Sequence, residues 1–170
     1  NLGADISMKS FDYVNAPKAW GFFPNEKGNV IIGISDGMVN VSDVDLAGKV
    51  SYVQQDLFNS NFVCNQIGFE SRHGTTIAAI AAARGNNAHG IAGICYDCKI
   101  MNSPYTLDAF TWNIYSPNFP GLMEMALRGV RVINMSWSRG PYNDPSYVSG
   151  FILSEQDAIN QLFDMGVVLV

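Results

Sequence analysis

Three short stretches concentrate side chains able to move a proton or hold a peptide-like group. Ser35-Asp36-Gly37 closes one apolar run, Arg72-His73-Gly74-Thr75 opens an Ala-rich stretch, and Asn134-Met135-Ser136-Trp137-Ser138 closes another apolar run. A carboxylate beside an imidazole is a usable pair. It accepts one ring N–H, fixes the tautomer and stabilises the imidazolium, leaving the other ring nitrogen as a general base. Asp36 and His73 are the candidates for such a pair. Read singly, each has a plainer explanation, since a strand-end Asp commonly closes or caps a turn. The other histidine, His89, sits in Asn86-Asn-Ala-His-Gly90, a loop signature, and is expected to face solvent.

The elements around these stretches alternate in type. Asn29–Ser35 is apolar, β-branched and bounded by Gly28 and Asp36, which predicts a buried parallel strand. Lys49–Val53, Lys99–Met101, Val130–Met135 and Val167–Val170 are further strand candidates. Thr75–Ala83, stopped by Gly85-Asn86-Asn87, predicts a buried helix. Gly121–Leu127 predicts a second. Ser154–Met165 predicts a third, with Ser154 as its cap and Ile159, Leu162 and Phe163 on one face. Strands alternating with helices imply an α/β domain with a mostly parallel sheet and helices on both faces. In such sheets sites form at the carboxyl ends of strands, where all three polar stretches fall. Gln54–Ser71 and Asn102–Pro120 read as irregular loops.

Composition narrows the class. The 170 residues are 48% hydrophobic and 15% charged, which excludes intrinsic disorder and fits one domain. A net charge of −5, with only ten Lys and Arg, argues against nucleic acid or an anionic membrane as partner. No apolar run approaches the ~20 residues of a membrane-spanning helix. The phosphate-loop and G-x-G-x-x-G patterns of nucleotide-binding domains are absent. Cys64, Cys95 and Cys98 are an odd set; one disulfide plus a free thiol is the simplest reading, with Cys95–Cys98 or Cys64 to either as the pairing. The Cys95-x-x-Cys98 pair has no second ligand pair at zinc spacing. A start at Asn1, without an initiator Met, is expected of a processed product or an excised piece.

The order of these stretches resembles the subtilisin-like serine proteases. Asp36-Gly-Met-Val-Asn-Val-Ser-Asp-Val-Asp-Leu-Ala-Gly48 is similar to that family's aspartate segment, with Asp45-Leu-x-Gly following Asp36 at the family's interval without a gap. Arg72-His-Gly-Thr-Thr-Ile-Ala-Ala-Ile80 is similar to its histidine segment. Asn86–Ile94 with Lys99–Met101 resembles the loop and strand that follow there. Val132-Ile-Asn-Met-Ser136 resembles its substrate-binding strand, and Val14–Trp20 its mature N-terminal stretch.

The resemblance implies the N-terminal portion, residues 1–170, of one subtilisin-like peptidase domain. It implies an endopeptidase acting on polypeptides with an Asp-His-Ser triad: Asp36 orients His73, and Ser136, Trp137 and Ser138 line the substrate. The family's oxyanion Asn and Gly-Thr-Ser nucleophile segment would lie beyond Val170, in the remainder of the protease domain, so the isolated chain is expected to be inactive. No cofactor is implied for the chemistry. A structural Ca²⁺ is implied at Asp45, Asn87 and the carbonyls of Gly85, His89 and Ile91, and a secreted or periplasmic location goes with the family.

There are departures. Gly37 and Met38 follow Asp36 where the family has Ser or Thr and then Gly. A second register puts Ser35 at the acidic position, at the cost of an inserted residue before Asp45. Thr76 replaces the family's second His, and Ser138 stands where Gly is common. These departures and the missing nucleophile also admit a non-catalytic subtilase-like binding module.

Overall fold

The computed structural model describes residues 9–22, 30–52, 69–104, 119–137 and 152–170. Helices α1 (Lys9–Tyr13) and α2 (Ala16–Phe22) lead into β1 (Ile31–Asp36) and β2 (Val50–Tyr52). Then α3 (Phe69–Ala82), β3 (Lys99–Pro104), α4 (Phe119–Leu127), β4 (Val132–Met135), α5 (Ile152–Asp164) and β5 (Val168–Leu169) follow. The strands form one sheet in the order β2-β3-β1-β4-β5. Every pairing is parallel.

The sheet is covered on both sides, which explains its apolar strands. Along β1 successive side chains alternate between faces. Ile32 and Ile34 pack with Ala78 and Ala82 of α3, Ile100 of β3, and Val39 and Leu46 of the loop after β1. Ile31 points to the other side, where Leu122, Met125 and Ala126 of α4 and Leu162 of α5 pack on Met101 and Ile133. From β1 the chain crosses to the edge strand β2, returns to β3 and then passes over β1 to β4 and β5, so the winding changes side at β1, the arrangement that opens a crevice at the strands' carboxyl ends. Both α4 and α5 end alike. Val130 N–H donates to Met125 and Gly129 N–H to Ala126, and Val167 and Gly166 repeat those bonds to Leu162 and Phe163. Both glycines have positive φ, the left-handed cap that turns a helix directly into the next strand.

Several boundaries differ from expectation. Helix α3 begins at Phe69, not Thr75, so His73 lies inside the helix rather than at its start. Strand β3 runs on to Pro104, so Asn102 and Ser103 belong to the sheet and not to a loop. Ser154 is the third residue of α5 and therefore not its cap. Leu162 is buried, but Phe163 is 77% exposed. It lies about 100° further round the helix, off the stripe that meets the sheet. Most of both expected loops, together with Cys64 and Ser138, falls outside the described residues.

Candidate active site

Asp36 is the last residue of β1, at the carboxyl edge of the central strand. The alternation that turns Ile34 toward α3 turns Asp36 the same way. Its side chain is fully buried. Above it, His73 Nδ1 lies 2.7 Å from Asp36 Oδ1, and the His73 side chain is 42% exposed. A buried carboxylate thus holds an accessible imidazole through Nδ1, which leaves Nε2 as the nitrogen open to a reactant. Gly37 N–H donates to the same carboxylate oxygen at 2.6 Å. Asp36 Oδ2 has no hydrogen-bond partner among the described residues.

Close approach of α3 to this turn depends on Gly74. An added Cβ there would stand 2.2 Å from the Gly37 carbonyl oxygen. Gly74 is the residue beside His73, so the absence of a side chain lets the helix settle onto the Asp36–Gly37 turn. Thr75 supports the same seam by accepting the Asn40 N–H through Oγ1 at 2.9 Å. This contact explains why a glycine survives inside a helix, where it ordinarily costs about 1 kcal/mol.

Ser35 faces the opposite side of β1. Its Oγ accepts the Trp137 indole N–H at 3.0 Å. It therefore does not meet His73, and the register that substitutes Ser35 for Asp36 is not the one the fold adopts. Trp137 also packs edge-on against Phe119 of α4. Ser136 Oγ accepts the Asn134 amide at 2.7 Å, just past the end of β4. Ser136 and Trp137 therefore lie at the carboxyl edge of the strand next to β1, on the same rim as Asp36.

Asn102, which the sequence pattern assigns to a loop, lies beneath the Asp36 turn. Its side chain is fully buried. It donates to the carbonyls of Ile34 and Gly37 and accepts the Val39 N–H. The signal was present, because an amide in a buried strand needs partners on both its oxygen and its nitrogen.

The loop after α3 closes on Asp45. Asn87 Nδ2 donates to Asp45 Oδ1 at 2.7 Å and Ile91 N–H donates to Oδ2 at 2.9 Å. His89, which is exposed, turns the Asn87 amide this way by donating its N–H to Asn87 Oδ1 at 3.2 Å. A calcium cage needs oxygens converging on one point. Here N–H donors meet both carboxylate oxygens, and the Asn87 oxygen is engaged elsewhere. The residues expected around Ca²⁺ are near one another, and the Asp45 and Asn87 side chains are bonded to each other and to the loop's main chain, as in a loop tied directly to a carboxylate. Among the described residues no group of three or more His, Cys, Asp or Glu is placed to hold a metal. Asp45→Ala is therefore expected to cost about 2 kcal/mol by stranding these donors, read as a fall in denaturant midpoint. Melting temperature is expected to be the same in millimolar Ca²⁺ and in chelator; a rise with Ca²⁺ would contradict this reading.

Cys95 and Cys98 are disulfide-bonded, with Cα atoms 5.3 Å apart. Lys49 Nζ bridges this turn to α3, donating to the carbonyls of Ala82 and Tyr96. Burial holds the Lys49 ammonium below its usual pKa, against the pull of Asp97, and Arg84 adds to the lowering. Trp20 of α2 donates its indole N–H to Ile94 and packs edge-on against Tyr96, which ties the N-terminal helices to the same turn.

A buried Asp holding an accessible His at the carboxyl rim of a parallel α/β sheet is an arrangement able to orient a general base. The sequence profile of the subtilase family matches residues 27–170, and the chain belongs to that family. It is 32% identical over 157 residues to thermitase of Thermoactinomyces vulgaris, covering 92% of this chain and 50% of thermitase. It is 30% identical over 148 residues to an extracellular serine protease of Serratia marcescens, covering 82% of this chain and 13% of that protein. A mutant of the protease domain of PatA shares the fold, with a TM-score of 0.64, 23% identity, and coverage of 85% of this chain and 49% of that one. The chain thus spans half or less of each of these proteins.

Proposed function

We propose that residues 1–170 form the N-terminal part of a subtilisin-like serine endopeptidase domain. The observation that carries this is the 2.7 Å bond from His73 to a fully buried Asp36 while the imidazole stays accessible. In this reading His73 Nε2 takes the proton of a serine hydroxyl as that oxygen attacks the peptide carbonyl, then returns it to the leaving amine. Asp36 stays ionised throughout and stabilises the imidazolium. Ser136, Trp137 and Ser138 bind an extended polypeptide through main-chain hydrogen bonds, as an added strand. The chemistry needs no cofactor.

The serine and the oxyanion donor come from the remainder of the protease domain, since these 170 residues contain no Gly-Thr-Ser. Secretion is supported by the Cys95–Cys98 disulfide, which persists in oxidising compartments, and by a relative described as extracellular. Among the described residues no helix is long and apolar enough to cross a membrane.

The full gene product is expected to cleave a denatured protein, with new peptides detected by mass spectrometry. A polypeptide of residues 1–170 alone is expected to give none, since it lacks both nucleophile and oxyanion donor. Cleavage by that fragment, lost on His73→Ala, would show that the nucleophile is one of its own serines.

A further inference from the structure

We infer that Asn102 is a positioning residue for the Asp36–His73 pair, an inference that rests on the catalytic reading of that pair. Asn102 sits on β3 directly beside Ile34 of β1. It follows Ile100 by two residues, so it lies on the α3 side of the sheet, where Ile100 packs against α3 and an apolar residue would be the default. Instead a fully buried amide makes three bonds. Nδ2 donates to Ile34 O at 3.0 Å and to Gly37 O at 3.3 Å, and Oδ1 accepts Val39 N–H at 3.1 Å. These residues bracket Asp36 on both sides. β1 stays paired with β3 through Asp36, and Gly37 and Val39 lie just beyond the paired stretch. One planar group with donors at one end and an acceptor at the other ties the strand to the turn that follows it.

The consequence reaches the imidazole through Gly37. The carbonyl of Gly37 is held by Asn102, and the same oxygen is the surface on which Gly74 rests. The N–H of Gly37 donates to Asp36 Oδ1, the oxygen that meets His73. Asn102 thus fixes the turn that aims the carboxylate and seats the helix bearing the base. It touches neither the imidazole by any described hydrogen bond nor a reacting atom, so it acts through Asp36. A displacement of about 1 Å in such an arrangement can cost on the order of 100-fold in rate.

The test uses the full gene product with Asn102→Ala and Asn102→Asp. Asn102→Asp keeps nearly the same volume and the acceptor for Val39 N–H but loses both donor bonds. It serves as the readout if Asn102→Ala fails to fold. Kinetics on a peptide substrate are combined with the low-field proton NMR resonance of His73 Nδ1–H. The expected result is a kcat lowered roughly 10- to 100-fold with KM within about twofold. The Nδ1–H resonance should shift or broaden in folded variant protein, an effect that general destabilisation away from the site would not produce. An unchanged kcat and an unchanged resonance in either folded variant would overturn the inference. His73→Ala separates the two levels. If it is inactive while the Asn102 variants match wild type, the positioning role alone fails. If it is fully active, the catalytic reading fails and the inference with it.

Discussion

Replacing His73 by Ala in the full gene product is expected to lower kcat by about 10⁴–10⁶-fold, with KM little changed. In the proposed reaction the imidazole is the base in both half-reactions, so its loss removes an interaction made in the transition state and leaves ground-state binding intact. Asp36→Asn is expected to cost about 10⁴-fold, because an amide can present its N–H to Nδ1 and hold the wrong tautomer. The double variant should be little worse than His73→Ala, since Asp36 acts through the imidazole. Steady-state kinetics on a peptide substrate read all three. A His73→Ala enzyme within tenfold of wild type would exclude His73 as the base.

Gly74→Ala is expected to be the most damaging small change in the fold around the site. Its Cβ would lie 2.2 Å from the Gly37 carbonyl oxygen and 2.8 Å from the carbonyl carbon. Both are main-chain atoms, held from beneath by Asn102, so neither can swing aside as a side-chain tip would. Either α3 lifts or the turn moves, and overpacking of this kind costs about 3 kcal/mol. The helix that must lift carries His73 in the preceding position. Denaturant midpoint and kcat should therefore fall together. Gly74→Ala with wild-type midpoint and kcat would mean that α3 does not rest on the Gly37 carbonyl.

The parts of the site legible in the sequence were those built from local chemistry. Asp36 and His73 each stand in a short run whose residue types match their task, and the apolar strands announced a sheet covered on both faces. What escaped was set by contacts between distant segments. Gly74 reads as a poor helix residue, so the sequence pattern starts α3 after it. The carbonyl of Gly37 is what makes glycine necessary there, and it is remote in sequence. Asn102 reads as the start of a loop because polarity marks loops on average. Only the turn after β1, which brings the Gly37 carbonyl and the Val39 N–H within reach of β3, makes an amide fit inside the sheet. Counting along α5 puts Phe163 on the buried stripe, but one residue's rotation from Leu162 turns it to solvent. Spacing alone does not decide whether Cys95 pairs with Cys98 or with Cys64. The fold places the two at the ends of one turn, with Cys98 N–H bonded to the Cys95 carbonyl.

In the proposed reaction the Asp36–His73 pair activates a serine supplied from outside these 170 residues. Covalent labelling tests it most directly. The full gene product is treated with a fluorophosphonate, which phosphonylates only an activated serine, and the adduct is mapped by peptide mass spectrometry. One stoichiometric adduct is expected, on a serine beyond Val170, and it should disappear in His73→Ala while the protein remains folded. An adduct on Ser136 or Ser138, or labelling that persists without His73, would contradict it.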